Sequence, residues 1–275
     1  MSELLDKRLA ILGLGKLGGI LLRGFIEGGL VEPSQVRATD KRLATAIKTA
    51  QEFNVELGED NLAAAENSDI ILLCVRPRTV LEVVRGIGPV LTEDQLLISV
   101  AASVSTSQIE EALPLQVPVV RAMPNTPCSV GCGMTALCRG KFANETHLLE
   151  TTRLFGAVGE TVTLDEKHFD AVTGLSASGP AFIYIILESL AEAGVKVGLP
   201  RDIATLLAAQ TTHGAAKVVL ETGNHPALLK DAVTTPAGCT IDGIMELEEG
   251  KLRVTLIKAV MKATERAHEL DENHD

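Results

Sequence analysis

Aromatic residues are scarce in this sequence, which has six Phe, one Tyr and no Trp among its 275 residues. So few rings leave little with which to stack exposed bases, and the formal net charge of −11 opposes binding to a phosphate backbone. A general nucleic-acid-binding protein is therefore disfavoured. No stretch approaches the roughly 18 consecutive apolar residues of a membrane span, so we expect a soluble protein without membrane partners.

Cysteine is also sparse, and the residues of this type are odd in number: Cys74, Cys128, Cys132, Cys138 and Cys239. They form no CxxC pair, and neither their spacing nor that of the nearest histidine matches a familiar zinc site. This usage is typical of a reducing cytosol rather than of a disulfide-bonded secreted protein. We expect a cytoplasmic protein without a metal site.

Short, continuously apolar runs alternate with helical periodicity over the first 160 or so residues, the runs lying at 8–13, 36–39, 69–75, 96–101 and 117–121. Such runs are typical of strands buried on both faces of a parallel sheet, which binds ligands at the carboxyl ends of its strands. After residue 164 the strand pattern stops and helical patterns take over. The sequence therefore predicts an α/β fold: a doubly wound dinucleotide-binding sheet of the Rossmann type over 1–164, followed by an all-α domain over 165–275.

The helical half contains the segment Ala181–Leu187, which is apolar nearly all round and runs into a more polar helical stretch. A helix of this kind is normally buried on every side. A helical half of this length has difficulty covering such a helix alone. We therefore expect a homodimer in which the all-α domain is the dimerisation domain.

A glycine-rich turn, Gly13-Leu-Gly15-Lys-Leu-Gly18, follows the first predicted strand and opens the first predicted helix. Gly13 permits a tight turn, Gly15 lets backbone N–H groups approach a pyrophosphate, and Gly18 lets the helix pack on the strand. The amino end of the helix favours negative charge. We predict a dinucleotide site here, with a turn that serves only packing as the alternative.

The end of the second strand carries both an acid and two bases. Asp40 lies where an acid receives the ribose 2′-hydroxyl of NAD. Lys41 and Arg42 follow at once, and a guanidinium at this place commonly receives the 2′-phosphate of NADP. NADPH and NADH both remain open, as does an ordinary solvated strand end.

Two further segments lie at predicted strand ends, Cys74–Pro77 and Met123–Pro127. The second is stiffened by two prolines and presents the Asn125 amide and the Thr126 hydroxyl, which suit a nicotinamide ribose or carboxamide. A plain rigid connector fits the pattern equally well.

Two turns of small polar residues precede helices in the second half, at Ser176–Ala181 and Thr234–Thr240. Each offers hydroxyls and free N–H groups at a helix amino end, which together can receive a carboxylate or a phosphate. Ser178 and Gly179 are candidate substrate contacts in the first turn. A simple helix cap is the alternative for both turns.

Taken together, these motifs resemble those of the pyrroline-5-carboxylate reductase family. The similarity runs along the whole chain through GLGKLGG (13–19), CVRP (74–77), ISVAASVS (98–105), RAMPNTP (121–127), SASGPA (176–181) and TTPAGCT (234–240). The resemblance implies an enzyme that reduces Δ1-pyrroline-5-carboxylate to L-proline with NADPH or NADH, the last step of proline biosynthesis. It also implies a homodimer or a ring of dimers.

The resemblance further implies roles for residues at matching positions. The pyrophosphate would be held by Gly13, Gly15, Lys16, Leu17 and Gly18, and the nicotinamide side would be lined by Val75, Arg76, Pro77, Ala101 and Asn125. The substrate carboxylate would be received by Thr235, Pro236, Ala237, Gly238, Cys239 and Thr240. We hypothesise that the Thr240 hydroxyl donates or relays a proton to the ring nitrogen, because the matching motifs contain no stronger acid.

The chain departs from the family pattern at several of these places. Ala237 stands where the family usually has Gly, which matters if the position needs a positive φ. Ala177 and Ser103 also replace Gly, and Arg76 stands where Lys is commonest. The alternatives are a related imine or hydroxyacid reductase and a non-catalytic family member that binds a nucleotide.

Overall fold

A computed structural model of the chain describes residues 6–272, without the side chains of Thr45, Asp271 and Glu272. These residues form two compact units. The first comprises the described residues up to Ala177 together with those from Ala263 onward, and the second comprises Ser178–Lys262.

The first unit is built on one sheet of eight strands in the order β3-β2-β1-β4-β5-β6-β7-β8. The strands are β1 Leu9–Leu12, β2 Val36–Thr39, β3 Glu56–Gly58, β4 Ile70–Leu73, β5 Leu96–Ser99, β6 Val119–Met123, β7 Gly133–Arg139 and β8 Gly159–Thr163. Neighbouring strands are parallel except β6 and β7, which are antiparallel. The predicted doubly wound sheet is confirmed.

Helices cover both faces of this sheet: α1 Lys16–Glu27, α2 Leu43–Phe53, α3 Asn61–Glu66, α4 Pro77–Ile87, α5 Thr106–Glu111, α6 Glu145–Gly156 and α7 Phe169–Val172. The alternation along β1 shows why its run is apolar throughout. Leu9 and Ile11 belong to one buried cluster, and Ala10 and Leu12 belong to a second. Because successive side chains point to opposite faces, a strand with a core on each side has no polar position.

Three strands were not predicted from the sequence: β3, β7 and β8. β3 has only three residues, and β8 is exposed at Glu160, Val162 and Thr163 because it forms the edge of the sheet. Neither carries a continuous apolar run. β7 reverses direction after β6, which a regular alternation of strands and helices does not indicate.

The second unit is helical, as predicted. It contains α8 Gly179–Lys196, α9 Arg201–Thr222, α10 Pro226–Val233, α11 Cys239–Glu249 and the first part of α12 Leu252–Glu272. The apolar segment predicted as a helix lies in α8. Within one chain it is not buried on every side: Ala191 is buried, whereas Tyr184 is 60% and Ile185 is 63% exposed.

One stretch, Glu166–Lys196, is long and apolar enough to cross a membrane by length and composition alone, and 6% of its most apolar window is buried. The core helix of a soluble protein can have the same length and composition, but this stretch is mostly exposed within the single chain.

Candidate functional site

The turn after β1 has the close contacts that its glycines predict. Gly13 has a φ of +102°, and a Cβ there would lie 2.8 Å from the carbonyl oxygen of Cys74. A Cβ on Gly18 would lie 2.2 Å from the carbonyl oxygen of Gly13, so glycine is needed for α1 to approach β1. A Cβ on Gly15 would meet nothing within 4 Å. The space beside the amino end of α1 is therefore open to a ligand.

The amino end of α1 supplies groups that attract an anion. The first N–H groups of α1 have no acceptor within the helix, and the N-cap residue Gly15 has no side chain to accept from them. Lys16 lines the cavity that adjoins this end. Leu17 packs against the core, so its share in a phosphate site is confined to its backbone. These features suit a pyrophosphate.

A cavity of about 300 Å³ lies at the carboxyl ends of β1, β2 and β4. It stands at the topological switch point, because β2 and β4 pair with opposite sides of β1. Predicted site residues line it together with residues that the sequence did not single out: Gly13, Gly15, Thr39, Asp40, Lys41, Arg42, Asn61, Cys74, Val75, Arg76, Thr79 and Val83.

The lining residues that sequence reasoning missed have no motif of their own. Thr39 Oγ1 donates to Asn61 Oδ1 over 2.5 Å, which joins the end of β2 to the start of α3. Asn61 is the first residue of a helix of six residues that contains no glycine. Only the sheet order brings these two residues beside the glycine turn.

The acid and the bases after β2 stay close together in the fold. The Asp40 carboxylate accepts a hydrogen bond of 2.7 Å from the backbone N–H of Arg42, which fixes it at the mouth of the cavity. Lys41 Nζ lies 3.6 Å from Glu82 Oε1, with both side chains exposed. Arg42 lines this cavity and the adjoining one. This end of the cavity therefore contains charges of both signs.

The end of β4 contributes a thiol, an apolar side chain and a guanidinium to the cavity wall, from Cys74, Val75 and Arg76. Burial raises the pKa of the Cys74 thiol to about 12, so this side chain stays protonated at physiological pH. Pro77 begins α4, and the Arg76 carbonyl accepts hydrogen bonds from the Thr79 N–H and hydroxyl. Val75 and Arg76 thus lie at the start of α4, where Arg76 is the N-cap residue and has no side-chain cap.

Asn125 follows β6, and its side chain is engaged on both sides. Oδ1 accepts a hydrogen bond of 2.9 Å from the Met134 N–H. Nδ2 donates to the Ser176 carbonyl over 3.3 Å and contacts the Ser176 hydroxyl at 3.4 Å. Asn125 therefore links the stiff proline loop to the start of the SASGPA motif.

The predicted polar turn at Ser176 is wrong. Residues Thr173–Ala177 are π-helical, Ser178 has helical backbone angles without a side-chain cap, and α8 begins at Gly179. The physical reason lies in Pro180, which has no N–H to donate to the carbonyl four residues before it. That carbonyl belongs to Ser176 and accepts the Asn125 amide instead. The Ser176 carbonyl is thus available to Asn125, while the chain continues from the π-helical segment into α8.

The segment Thr235–Thr240 lies in the second unit, where it follows α10 and enters the first turn of α11. It begins with a β-turn closed by a 3.0 Å hydrogen bond from the Gly238 N–H to the Thr235 carbonyl. Gly238 is the N-cap of α11, and Thr240 lies in the first turn of that helix. A Cβ on Gly238 would lie 2.4 Å from Thr235 Oγ1, so this position has room only for glycine. Backbone N–H groups and a hydroxyl therefore meet at one helix amino end.

Two of the departures from the family pattern fall where the backbone is left-handed. Ala237 and Ser103 both have a φ of +57°, a conformation that favours glycine. Ser103 is buried, and its hydroxyl reaches the carbonyl of Ala267 over 3.4 Å. Ala177 carries no such strain, because it belongs to the π-helical segment.

The predicted site residues divide between the two units. The first unit brings together the residues of the glycine turn, the β2 end and the β4 end, and it also contains Pro77, Ala101 and Asn125 outside the cavity lining. The second unit contains Ser178, Gly179 and the residues Thr235–Thr240. Among the described residues, no group of three or more His, Cys, Asp or Glu side chains could hold a metal ion.

Two family models match separate parts of this chain. Residues 166–270 match the family described as pyrroline-5-carboxylate reductase dimerisation, and residues 8–103 match the family described as NADP oxidoreductase coenzyme F420-dependent.

Relatives and solved structures match over nearly the whole chain. The pyrroline-5-carboxylate reductase of Methanosarcina acetivorans is 40% identical over 96% of this chain and 98% of its own length. The structure of a pyrroline-5-carboxylate reductase from Coxiella burnetii has a TM-score of 0.89 at 34% identity, covering 97% of this chain and 99% of that one. The Plasmodium falciparum pyrroline carboxylate reductase with NADP bound has a TM-score of 0.88 at 29% identity, covering 98% and 100%. This chain belongs to the pyrroline-5-carboxylate reductase family.

Proposed function

We propose that the protein reduces Δ1-pyrroline-5-carboxylate to L-proline with NADPH or NADH, the final step of proline biosynthesis. The observation that carries this proposal is the 40% identity to the Methanosarcina acetivorans reductase across almost the full length of both chains. The open glycine turn, the cavity at the switch point and the hydroxyl-bearing loop before α11 supply the parts that the reaction needs.

The residues around the switch point fit a reduced nicotinamide dinucleotide. The N–H groups at the start of α1 would hold the pyrophosphate, with Gly15 leaving room for it. Asp40, Lys41 and Arg42 would receive the adenosine ribose, with or without a 2′-phosphate. Val75, Arg76, Pro77, Ala101 and Asn125 would lie on the nicotinamide side. When bound, the cofactor would supply the hydride that reduces the C=N carbon of the substrate.

The protein's part is to orient the substrate and to supply a proton. N–H groups at the amino end of α11 would hold the substrate carboxylate, with Ser178 and Gly179 as further contacts. The Thr240 hydroxyl, in the same helical turn, would donate or relay a proton to the ring nitrogen. A protonated imine is already a good electrophile, so the site needs no strong general acid.

A direct assay tests the activity. Purified protein is given pyrroline-5-carboxylate with NADH or with NADPH, and the loss of reduced-nicotinamide absorbance is followed beside reactions with hydroxyacids and with no substrate. Turnover with the imine and formation of proline are expected. Turnover only with a hydroxyacid would identify a different reductase, and tight cofactor binding without turnover would identify a non-catalytic member of the family.

Substitution of Thr240 tests the proton-donor role. We expect Thr240→Ala to lower kcat by about 10²-fold, because the hydroxyl acts only during the chemical step. Thr240→Ser keeps a hydroxyl at the same place in the first turn of α11 and is the matched control. Full kcat in Thr240→Ala would exclude this role, whatever the behaviour of the serine variant.

We further propose that the protein is a homodimer, alone or within a ring of dimers. Large apolar side chains are exposed along the second unit, among them Leu206, Val197 and Leu220, the last two being 80% and 79% exposed. Surface of this kind marks a protein interface. Light scattering after size-exclusion chromatography should give twice the chain mass or an even multiple, and a monomer at micromolar concentration would contradict the proposal.

The remaining proposals concern the cellular compartment of the protein and the roles of its two domains. Five free cysteines in the described chain suit a reducing cytoplasm, where we place the protein. We assign cofactor binding to residues 1–164 and dimerisation and substrate binding to 165–275. The end of β8 at Thr163 and the start of the dimerisation match at residue 166 support this boundary, whereas the compact units of the fold divide later, after Ala177.

A further inference from the structure

Arg121 is a buried cation that the reaction as described does not use. It lies in β6, and its side chain is only 3% exposed. Nη1 donates to Glu166 Oε1 over 3.0 Å, and the guanidinium carbon lies 4.8 Å from the ring centroid of Phe169. Nε is buried without a hydrogen-bond partner among the described residues. Burial of this charge is costly, and apolar side chains could fill the same space.

Glu166 gathers donors from two different segments. Besides Arg121, it accepts a 2.8 Å hydrogen bond from the Thr106 N–H at Oε1 and a 2.6 Å hydrogen bond from the Thr106 hydroxyl at Oε2. Thr106 is the first residue of α5 and comes five residues after Ala101. Arg121 comes four residues before Asn125. One carboxylate therefore joins the two segments that lead to the nicotinamide side.

The position of this carboxylate along the sheet gives it a specific task. The last pair in register between β5 and β6 is Ser99 with Arg121. Beyond that pair no ladder of strand hydrogen bonds connects Ala101 to Asn125. Glu166 bridges the two segments at the point where the sheet ceases to hold them.

We propose that Arg121 and Glu166 are positioning residues for hydride transfer. They hold the segments of Ala101 and Asn125 at a fixed separation, so that the nicotinamide ring and the imine carbon meet at reacting distance. This inference rests on the function proposed above. Misplacement of a reacting group by about 1 Å can lower a rate by about 10²-fold, so loosening of this bridge acts on the chemical step.

The test separates positioning from stability. In the double variant Arg121→Met/Glu166→Met an apolar pair replaces the buried ion pair, and such replacements are often neutral or stabilising. Each single variant leaves one charge without its partner and should lower Tm. The double variant should recover most of the Tm that the single variants lose, and the remaining difference reflects the two hydrogen bonds from Thr106 that it cannot restore.

The measurement is single-turnover hydride transfer from pre-bound NADH or NADPH to excess pyrroline-5-carboxylate, with a 4-deuterated cofactor to verify that the hydride step is observed. With Tm largely restored, the double variant should transfer hydride at least about 10-fold more slowly, with the cofactor Kd and the KM for substrate within about twofold of wild type. A wild-type transfer rate in the double variant would overturn the proposal. Wild-type protein without turnover would refute the proposed function itself.

Two further variants complete the test. Thr106→Val removes the hydroxyl bond to Glu166 and keeps the backbone bond, so it carries the test if the double variant fails to fold. Slower transfer at unchanged cofactor affinity is expected, and an unchanged rate would refute the bridge. Arg8→Met removes an exposed ion pair to Asp69 at the amino ends of β1 and β4, whereas the cavity lies at their carboxyl ends. This variant should leave the rate of hydride transfer unchanged. An equal loss in that control would show that the effect is not specific to the bridge.

Discussion

Replacing Ala237 by glycine should make the protein more stable. The residue lies in the β-turn Thr235–Gly238, follows a proline, and has a φ of +57°. At this third position of a turn, a left-handed conformation is adopted readily by glycine and at a cost by alanine. Ala237→Gly removes the methyl group that causes the strain and leaves the hydrogen bond of the turn in place.

The expected gain follows from two opposing contributions. Left-handed backbone costs alanine roughly 1–2 kcal/mol. Glycine loses more conformational entropy on folding than alanine does, which offsets this gain in stability by about 0.5–1 kcal/mol. The net stabilisation is about 0.5–1 kcal/mol, which in a chain of this length raises Tm by about 1–3 °C.

Thermal unfolding followed by circular dichroism at one fixed protein concentration measures this shift, since association makes Tm depend on concentration. Ala44→Gly, at an exposed site in α2, is the matched control and should lower Tm. Ser103→Gly should change Tm little, because relief of strain is offset by loss of the bond to Ala267. If Ala237→Gly lowers Tm as Ala44→Gly does, the turn does not strain alanine and the reasoning is refuted.

Three further results are expected. Asp40→Ser should raise the ratio of kcat/KM for NADPH to kcat/KM for NADH, because it removes a carboxylate that repels a 2′-phosphate. Steady-state kinetics with both cofactors measures this ratio, and a lower ratio in the variant would contradict the role of Asp40. A thiol reagent at pH 8 should label exposed Cys132 and Cys239 and spare half-buried Cys74, whose raised pKa keeps the thiol protonated. Added proline should slow the labelling of Cys239 alone, as peptide mass spectrometry can show, and equal protection of Cys132 and Cys239 would place the substrate carboxylate elsewhere. Arg8 lowers the pKa of Asp69 mainly through their side-chain hydrogen bond, so this pair stabilises the fold above the ordinary carboxyl pKa and loses its effect as the pH falls through the lowered pKa. The difference in Tm between wild type and Arg8→Met should therefore vanish at acid pH. A difference that grows at acid pH would show the opposite linkage.

The sequence predicts those strands of the fold that are buried on both faces. β1 and β4 consist of apolar residues because each lies between two cores, and their runs were recognised without any structure. β8 lies at the edge of the sheet and alternates small, polar and apolar residues over Gly159–Thr163. Such a strand depends on its neighbour for stability, so the local pattern could not reveal it.

The candidate site divides in the same way. The contacts of Gly13, Gly15 and Gly18 follow from the lack of a side chain, which the sequence displays directly. The link between Asn125 and Ser176 depends on residues 51 positions apart. Long-range contacts of this kind are set by how the strands and helices pack, and a single sequence carries no local signal of them.

The two edges of the sheet also bear on how copies of this chain meet. β3 has only three residues and carries Glu56, which pairs with Arg37 over 3.0 Å, while the opposite edge strand β8 exposes Glu160. Short, charged edges resist the addition of a strand from another molecule, which is the first step of fibrous aggregation. Copies of this chain can therefore associate through their exposed helices, while the edges of the sheet stay protected from strand addition.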